Sequence, residues 1–428
     1  MIMSIKQSTK QHLTSIFCNQ MQKIIAKHNP KIIAVAGSVG KTSTKMAIAT
    51  VLKEQYIVRY QEGNYNALIS VPFLFLGIDF PSLYNPIGWF KAWRVGQKIL
   101  KSKYYPQVVV IELGTDHIGE LINFKGVLEP DITVVTAVSD EHMEFFGTLD
   151  AVAREELSVA EFSKQLVISR DNIDLQYLDK YLPKNTKYIT YGFDKSDYQI
   201  KVVSHGIDGY KTQIDFNSEK IVTNIKVAAR HSLQAACAAV SVANMLGVGI
   251  KNIEQGLKKI KPMPGRMQIL NGINDSIIID DTYNSSPIAV KEALNTLYEY
   301  KGTQKIAILG MMNELGDTSQ VSHEWAGALC DPKKLDLLIT LGKDANNYLA
   351  PVAAKKGCNV IKVNSPYEAG EILKKEIIHG SVILAKGSQN GVFAEEAIKP
   401  ILASNADQSK LVRQSKFWLS KKKVQFNK

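Results

Sequence analysis

The decamer AGSVGKTSTK at 36–45 has the residue types that bind phosphate, and it stands between the apolar run KIIAVAG and the helix-forming MAIATVLKEQ. Glycines at 37 and 40 let backbone N–H groups close round phosphate oxygens, which makes Gly37, Ser38, Val39, Gly40, Lys41, Thr42 and Ser43 a candidate nucleotide loop. Lys41 would reach the outer phosphates, and the hydroxyl of Thr42 or Ser43 would ligate Mg²⁺. The loop is more compact than GxxxxGK[ST]: five residues before Gly40 stands Val35, and the nearest earlier glycine is Gly37. A plain turn between strand and helix is the competing reading. Glu112 is a second candidate, since it ends an apolar strand and ligands of open α/β sheets collect at the carboxyl ends of strands. His142 follows the run DITVVTAV in the same topological position, and Asn64 and Asn66 follow Gly63 in what would also serve as an ordinary turn.

These side chains need a scaffold of alternating strands and helices. Apolar runs begin at Lys31, Gln107, Asp131, Gln165, Ser276, Lys305, Leu335 and Ser381, and most are followed by helical patterns. Strands of that length alternating with helices predict parallel sheets covered on both faces. Residues 197–227 instead alternate polar and apolar around turn signals, so they predict antiparallel hairpins appended to the first sheet. The expected fold class is α/β: a P-loop-containing, mostly parallel sheet domain with appended hairpins, then a smaller Rossmann-like α/β domain. KPMPGR, with Pro262, Pro264 and Gly265, suits neither helix nor central strand and is the expected boundary. The organisation read from the chain is an N-terminal helix at 1–30, a central domain at 31–262, a second domain at 263–403 and a basic tail at 404–428. Leu411, Trp418 and Leu419 of the tail are expected to dock on the second domain.

The chain has 428 residues, 45% hydrophobic and 22% charged, with a formal charge of +11, which excludes a disordered or fibrous protein. Cys18, Cys237, Cys330 and Cys358 are too few and too scattered for a zinc site or a disulfide framework. With no signal peptide and no run long enough to span a bilayer, the expected location is cytoplasmic. The excess charge suits an anionic partner, but no motif for reading nucleic acid accompanies it.

The compact GxxGKT loop is similar to that of the Mur ligase superfamily, and further segments follow in the family's order. EGNYNALISVPFLFLGI at 62–78 resembles GNxNxxxGxP, VVVIELGTDHIGEL at 108–121 resembles IExGxxxxGEI, and 136–153 resembles the segment around the metal-binding histidine. GRM at 265–267 resembles the hinge arginine, DDTYNSSP at 280–287 resembles DDSYNANP, LGMMNELGDTS at 309–319 resembles LGDMLELG, and AKGSQN at 385–390 resembles VKGSxx. The last three, together with the ELG segment at 112–114, point to the branch that adds D-alanyl-D-alanine to a UDP-muramoyl tripeptide. The resemblance spans roughly residues 30–400.

It implies an ATP-dependent ligase that phosphorylates a carboxylate and then admits an amine. Lys41, Glu112, His142 and Asn64 would be catalytic, with Thr42 and Glu112 holding one Mg²⁺ and His142 a second. Arg266 would reach the γ-phosphate and Asp281 the ribose hydroxyls, and closure about the PMPG segment would assemble the site. Asn284 would join Arg266 and Asp281 at the nucleotide, and with Glu314 and His323 would be a weaker contact to the amine, while Lys386 reads as part of a strand-to-helix turn. The implied partners are a muramoyl-peptide or other anionic carboxylate acceptor and an amino acid or dipeptide, and the protein is expected to be a monomer. Other readings are an envelope-polymer ligase of poly-glutamate type and a nucleotide-binding partner that has lost catalysis.

Several positions depart from the pattern. Glu156 stands where the family usually carries a carbamylated lysine, which makes it the candidate second-metal carboxylate, on a shorter arm. Ser232, Ala235, Met311 and Ala137 replace commoner family residues. About 36 residues precede the loop, which is too few for the family's UDP-binding domain, and residues 4–28 read as one helix. Residues 79–106 form an insertion in which Trp89, Phe90 and Trp93 alternate with Lys91, Arg94, Lys98, Lys101 and Lys103. Such a stretch suits a membrane interface or an anionic ligand, including the UDP end of a substrate, or else a helix that turns its tryptophans inward.

Overall fold

The computed structural model describes residues 2–61, 66–140, 143–206 and 209–426, so Asn64 and His142 lie outside the described residues. The chain forms two compact units. The first holds the residues up to Ser139, Phe145–Ile225 and Ser232–Ile260; the second holds Lys226–His231, Lys261 onward and a short piece around residue 140.

The first unit is built on a nine-stranded sheet. Its strands are β1 (Lys31–Ala36), β2 (Val58–Tyr60), β3 (Val108–Glu112), β4 (Ile132–Val135), β5 (Leu166–Ser169), β6 (Tyr188–Gly192), β7 (Tyr198–Gly206), β8 (Gly209–Phe216) and β9 (Glu219–Ile225). They lie in the order β2-β3-β1-β4-β5-β6-β7-β8-β9, parallel as far as β7. The β7–β8 and β8–β9 pairs are antiparallel, which is the hairpin addition expected for 197–227. Strands β3, β4 and β5 are buried along their whole length, as continuous Val and Ile runs require.

Among the described residues up to Ile260 the helices are α1 (Ile2–His28), α2 (Lys41–Leu52), α3 (Val71–Leu76), α4 (Pro86–Lys101), α5 (Met143–Phe146), α6 (Leu149–Leu157), α7 (Leu175–Tyr181), α8 (Ser232–Met245) and α9 (Ile250–Lys259). Helix α2 carries Lys41 at its first position and packs against both α8 and α9. The α2–α9 contact is tight because Gly256 faces it: a Cβ there would stand 2.6 Å from the Val51 Cα.

The second unit has a six-stranded sheet. Its strands are β10 (Gln268–Asn271), β11 (Ile277–Asp281), β12 (Lys305–Gly310), β13 (Leu337–Leu341), β14 (Val360–Val363) and β15 (Val382–Lys386), in the order β10-β11-β15-β12-β13-β14, with only β10 antiparallel. Helices α10 (Pro287–Glu299), α11 (Ser319–Leu329), α12 (Ala350–Lys355), α13 (Pro366–Glu376), α14 (Glu395–Ile398) and α15 (Lys416–Phe426) complete it. Apolar clusters cover both faces of the sheet, one around Leu294, Leu309 and Leu338 and the other around Ile308, Ile339 and Leu373.

The sequence runs did not mark β2, β6, β10 and β14, which are short and only part-buried and so lack an unbroken apolar stretch. The basic C-terminal stretch belongs to the second unit. Lys422, read as part of a basic tail, is 1% exposed and ion-paired to Glu395 at 2.8 Å and Glu396 at 2.7 Å. All four cysteines are buried free thiols, and burial pushes Cys18 up to about 11 and Cys330 up to about 12.

Candidate active site

Strand β1 lies between β3 and β4, with Val35 level with Glu112 and Ala36 level with Val135. The chain leaves β1 at a point where its two neighbours belong to different crossovers, the place where open α/β sheets leave a crevice. The loop 37–40 fills that point. Gly37 has φ 119° and Gly40 φ 90°, conformations that L side chains avoid. At Gly37 a Cβ would also stand 2.4 Å from Thr136 Oγ1 and 2.8 Å from the Ala137 amide nitrogen, so no larger residue fits.

The segment after β4 holds the loop in place. The Ser38 N–H donates to Ala137 O at 2.9 Å, the Ser139 N–H donates to Ser38 Oγ at 2.8 Å, and the Thr136 hydroxyl donates to Val39 O at 2.7 Å. Helix α2 begins at Lys41 with Gly40 as its cap, so no side chain occupies its positive N-terminal end. The Lys41 ammonium donates to Ser38 O at 3.0 Å and to Gly37 O, which places it directly over the loop.

Glu112 stands beside this loop. Thr42 Oγ1 donates to its Oε1 at 3.1 Å, the Lys45 ammonium lies 2.9 Å from its Oε2, and its own N–H donates to Gln61 Oε1 at 3.0 Å. Glu112, Thr42 and Lys45 are all buried. A hydroxyl and a carboxylate oxygen in contact are hard donors of the kind that Mg²⁺ takes, since that ion draws one or two ligands from protein and the rest from water and phosphate. The residues present therefore fit Mg²⁺, and no group of three or more His, Cys, Asp or Glu that could cage a metal occurs among the described residues.

Glu156, expected at a second metal, accepts a hydrogen bond from the Gly37 N–H at 2.7 Å and is buried. Its carboxylate thus meets the 37–40 loop, where it orders a backbone amide. The neighbouring Glu155 does similar work on another loop, accepting from Gly119 N at 2.7 Å and Leu121 N at 2.8 Å. Asn66 meets the segment after β3, its carbonyl accepting from the Gly114 N–H at 3.3 Å.

In the second unit three motif segments converge at the carboxyl ends of β11, β12 and β15. Asp281 and Lys386 are register partners on β11 and β15, and their side chains form a buried ion pair at 2.5 Å. Asp281 Oδ1 also accepts from the Met267 N–H at 3.2 Å, and Lys386 donates to Asn284 O at 3.0 Å. Ser388 joins the loops by accepting from the Asn313 N–H at 2.9 Å, while its own N–H donates to Met311 O. The Arg266 guanidinium lies over the Tyr283 ring, 4.2 Å from its centroid. Glu314 sits in the left-handed region at φ 63°. His323, expected near an incoming amine, is instead fully buried: Nδ1 donates to Ser319 O at 2.7 Å and Nε2 accepts from the Met312 N–H at 2.9 Å. Both ring nitrogens are committed to shaping the loop after β12, and burial holds the imidazole below its ordinary value.

Two family profiles match the chain, the Mur ligase middle domain over residues 35–243 and the Mur ligase glutamate ligase domain over residues 265–389. The chain belongs to the Mur ligase family. Among relatives of this Mur ligase, the UDP-N-acetylmuramoyl-tripeptide–D-alanyl-D-alanine ligase of Bacillus subtilis is 27% identical over 381 residues, covering 87% of this chain and 76% of the relative. The fold is similar to that of MurF from Acinetobacter baumannii, with a TM-score of 0.75 at 21% identity, covering 93% of this chain and 80% of that one. It is also similar to MurF from Thermotoga maritima in complex with ADP, with a TM-score of 0.73 at 22% identity, covering 91% and 83%. The mostly parallel sheets are thus the Mur ligase architecture, and the protein is an ATP-dependent ligase that forms peptide-type amide bonds.

Sequence reading passed over four residues of this Mur ligase that the geometry brings in. Lys45 is one helical turn beyond Thr42, and that spacing alone could have placed it beside the same carboxylate. Thr136 and Ser388 stand inside segments already singled out. Arg413 had no local signal, yet it donates to Tyr283 O at 2.9 Å, to Thr282 O, and to both oxygens of Glu395.

Proposed function

We propose that this Mur ligase joins D-alanyl-D-alanine, or a related amino acid or dipeptide, to the carboxylate of a muramoyl-peptide precursor in peptidoglycan synthesis. A carboxylate does not condense with an amine in water, because its oxygen is a poor leaving group. Transfer of the γ-phosphoryl group forms an acyl O–P bond, breaks the bridging P–O bond and releases ADP. The amine then attacks the carbonyl carbon, and phosphate leaves with the electron pair of the broken C–O bond as the nitrogen gives up a proton.

The chain's part is positioning and charge neutralisation. The open N-terminus of α2 and the loop amides would seat the phosphates, and Lys41 would move from the loop carbonyls onto the transferring group. Thr42 and Glu112 would hold Mg²⁺, which when bound draws negative charge off the phosphate oxygens. Lys45 would keep the Glu112 carboxylate aimed, and Glu156 would hold the Gly37 amide. Arg266, Asp281 and Asn284 are proposed as nucleotide contacts, to be tested by the ATP affinity of Arg266→Ala and Asp281→Asn. The reading places the protein in the cytoplasm, where ATP is available, as a monomer.

The observation that carries the reading is the Thr42–Glu112 hydrogen bond beside the uncapped N-terminus of α2. The deciding experiment is phosphate release from ATP with UDP-muramoyl tripeptide plus D-alanyl-D-alanine, repeated with other carboxylate acceptors and amines. Turnover is expected with the muramoyl peptide. Nucleotide binding without turnover on any pair would sink the ligase assignment, and turnover only on another acceptor would replace the substrate.

A further inference from the structure

The positive charge of this chain is concentrated. Residues 1–30 and 79–106 hold nine Lys and Arg against one acid, Asp79, so these two stretches carry +8 of the total +11. The C-terminal stretch from 404 is also basic, but its Arg413 and Lys422 are consumed by buried carboxylates.

The fold brings the two stretches together. Helix α1 packs against α3 and α4 around Phe17, Ile24, Phe73 and Trp89. Gln20 Nε2 donates to Trp93 O at 3.0 Å, and Lys27 donates to Leu100 O. A Cβ at Gly96 would overlap the Gln20 amide, so that glycine makes room for the contact. Helix α4 therefore has a settled inner face of Trp89, Ala92 and Gly96.

Its other face mixes apolar with charged side chains and is left uncovered by the described residues. Ile87 is 67% exposed, Phe90 57% and Trp93 43%, with the Phe90 and Trp93 rings stacked at 6.1 Å, and Leu83 is exposed just before the helix. Lys91, Arg94, Lys98 and Lys101 share that exposed side, and none of them has an ion-pair partner among the described residues. Apolar side chains clustered this densely on a surface mark a binding face. Aromatics with unpaired bases on one helix face match the boundary of an anionic bilayer, where rings sit among headgroups and lysines meet phosphates. Leu83 and Ile87 favour lipid over single-stranded nucleic acid, because aliphatic groups do not stack on bases. No helix among the described residues is long and apolar enough to cross a membrane, so contact by this helix would be interfacial.

We infer that the outer face of α4 docks this ligase on an anionic lipid surface, with Ile87, Phe90 and Trp93 entering the headgroup boundary and Lys91, Arg94 and Lys98 facing lipid phosphates. The inference does not depend on which carboxylate the enzyme uses.

The test is co-sedimentation of the full-length protein with phosphatidylcholine vesicles, with and without phosphatidylglycerol. Binding is expected only when phosphatidylglycerol is present, and it should weaken as salt rises. The Phe90→Ser/Trp93→Ser and Lys91→Glu/Arg94→Glu/Lys98→Glu variants should each lose at least about tenfold in vesicle affinity, with unchanged phosphate release and acceptor KM. Failure of the wild type to bind, or equal binding to neutral vesicles, overturns the inference. A raised acceptor KM in the charge-reversed variant would mean a substrate site, and tighter binding to oligonucleotides or loss of a self-association would mean another occupant; each also overturns it. Should a variant fail to fold, the lipid and salt dependence of the wild type decides.

Discussion

Glu112 is shared between Thr42 and Lys45, and those two contacts make different demands. Lys41→Ala should abolish phosphate release while leaving the thermal unfolding profile near that of the wild type, because Lys41 is only part-buried and its bonds to the Gly37 and Ser38 carbonyls lie within one short loop. Lys45→Met should behave differently. It takes the buried Lys45 ammonium away from the Glu112 carboxylate, a loss of about 3–5 kcal/mol that urea unfolding of the first unit would read. Equal stability of the two variants would show that Lys45 is not the structural partner of Glu112.

Two buried groups in the second unit give stability a pH dependence of opposite sign. Burial keeps His323 neutral below its ordinary 6.5, so its contribution is complete above that pH and declines as pH falls and the unfolded chain takes up the proton. Burial pushes Asp280 up to about 6 against the hydrogen bonds it accepts from Thr282. The folded state therefore holds a proton that the unfolded state has lost between 3.8 and about 6, and this contribution is complete below 3.8 and gone above 6. Urea titrations across that range should show Asp280→Asn gaining relative to wild type as pH rises. His323→Phe should lose about 1–3 kcal/mol at neutral pH, from the stranded Met312 N–H, and should lack the acid-side decline.

At the scale of elements, the site depends on how closely α2 is held. Gly256 lets α9 approach the α2 backbone at Val51, so Gly256→Ala must push the helices apart and should cost about 1–3 kcal/mol, measurable by denaturant unfolding. Because α2 begins at Lys41, the same variant should weaken ATP binding, whereas a change on the solvent side of α9 should do neither. Helix α4 follows the opposite logic. Its inner face is fixed by α1, and its outer face makes no comparable contact, which is why substitutions at Phe90 and Trp93 are expected to leave the fold intact.

At the scale of the whole molecule, the C-terminal stretch is the most instructive segment. Arg413 and Lys422 form a four-membered ionic network with Glu395 and Glu396, and Arg413 continues to the carbonyls of Thr282 and Tyr283 in the motif segment after β11. Burial alone would raise the Glu396 carboxyl, but the Lys422 ammonium beside it wins and holds it below its ordinary value. Lys422→Met should cost about 3–5 kcal/mol in the unfolding of the second unit. An exposed basic tail would lose nothing measurable.

The amino-acid sequence by itself determined the alternation of strands and helices, the appended hairpins and the glycine-bounded loop that leads from β1 into α2 at Lys41. Those features are local: strand burial shows as unbroken Val and Ile runs, and a loop between β1 and α2 is read from glycine spacing. Short part-buried strands such as β14 left no such trace. Only the tertiary structure decided that Lys45 and Thr42 divide Glu112, that Glu156 serves the Gly37 amide, that His323 is a buried loop support, and that Lys422 is core. Each of these pairs joins side chains whose meeting depends on packing and on the high cost of burying a charge or a polar group without a partner. Sequence spacing records neither.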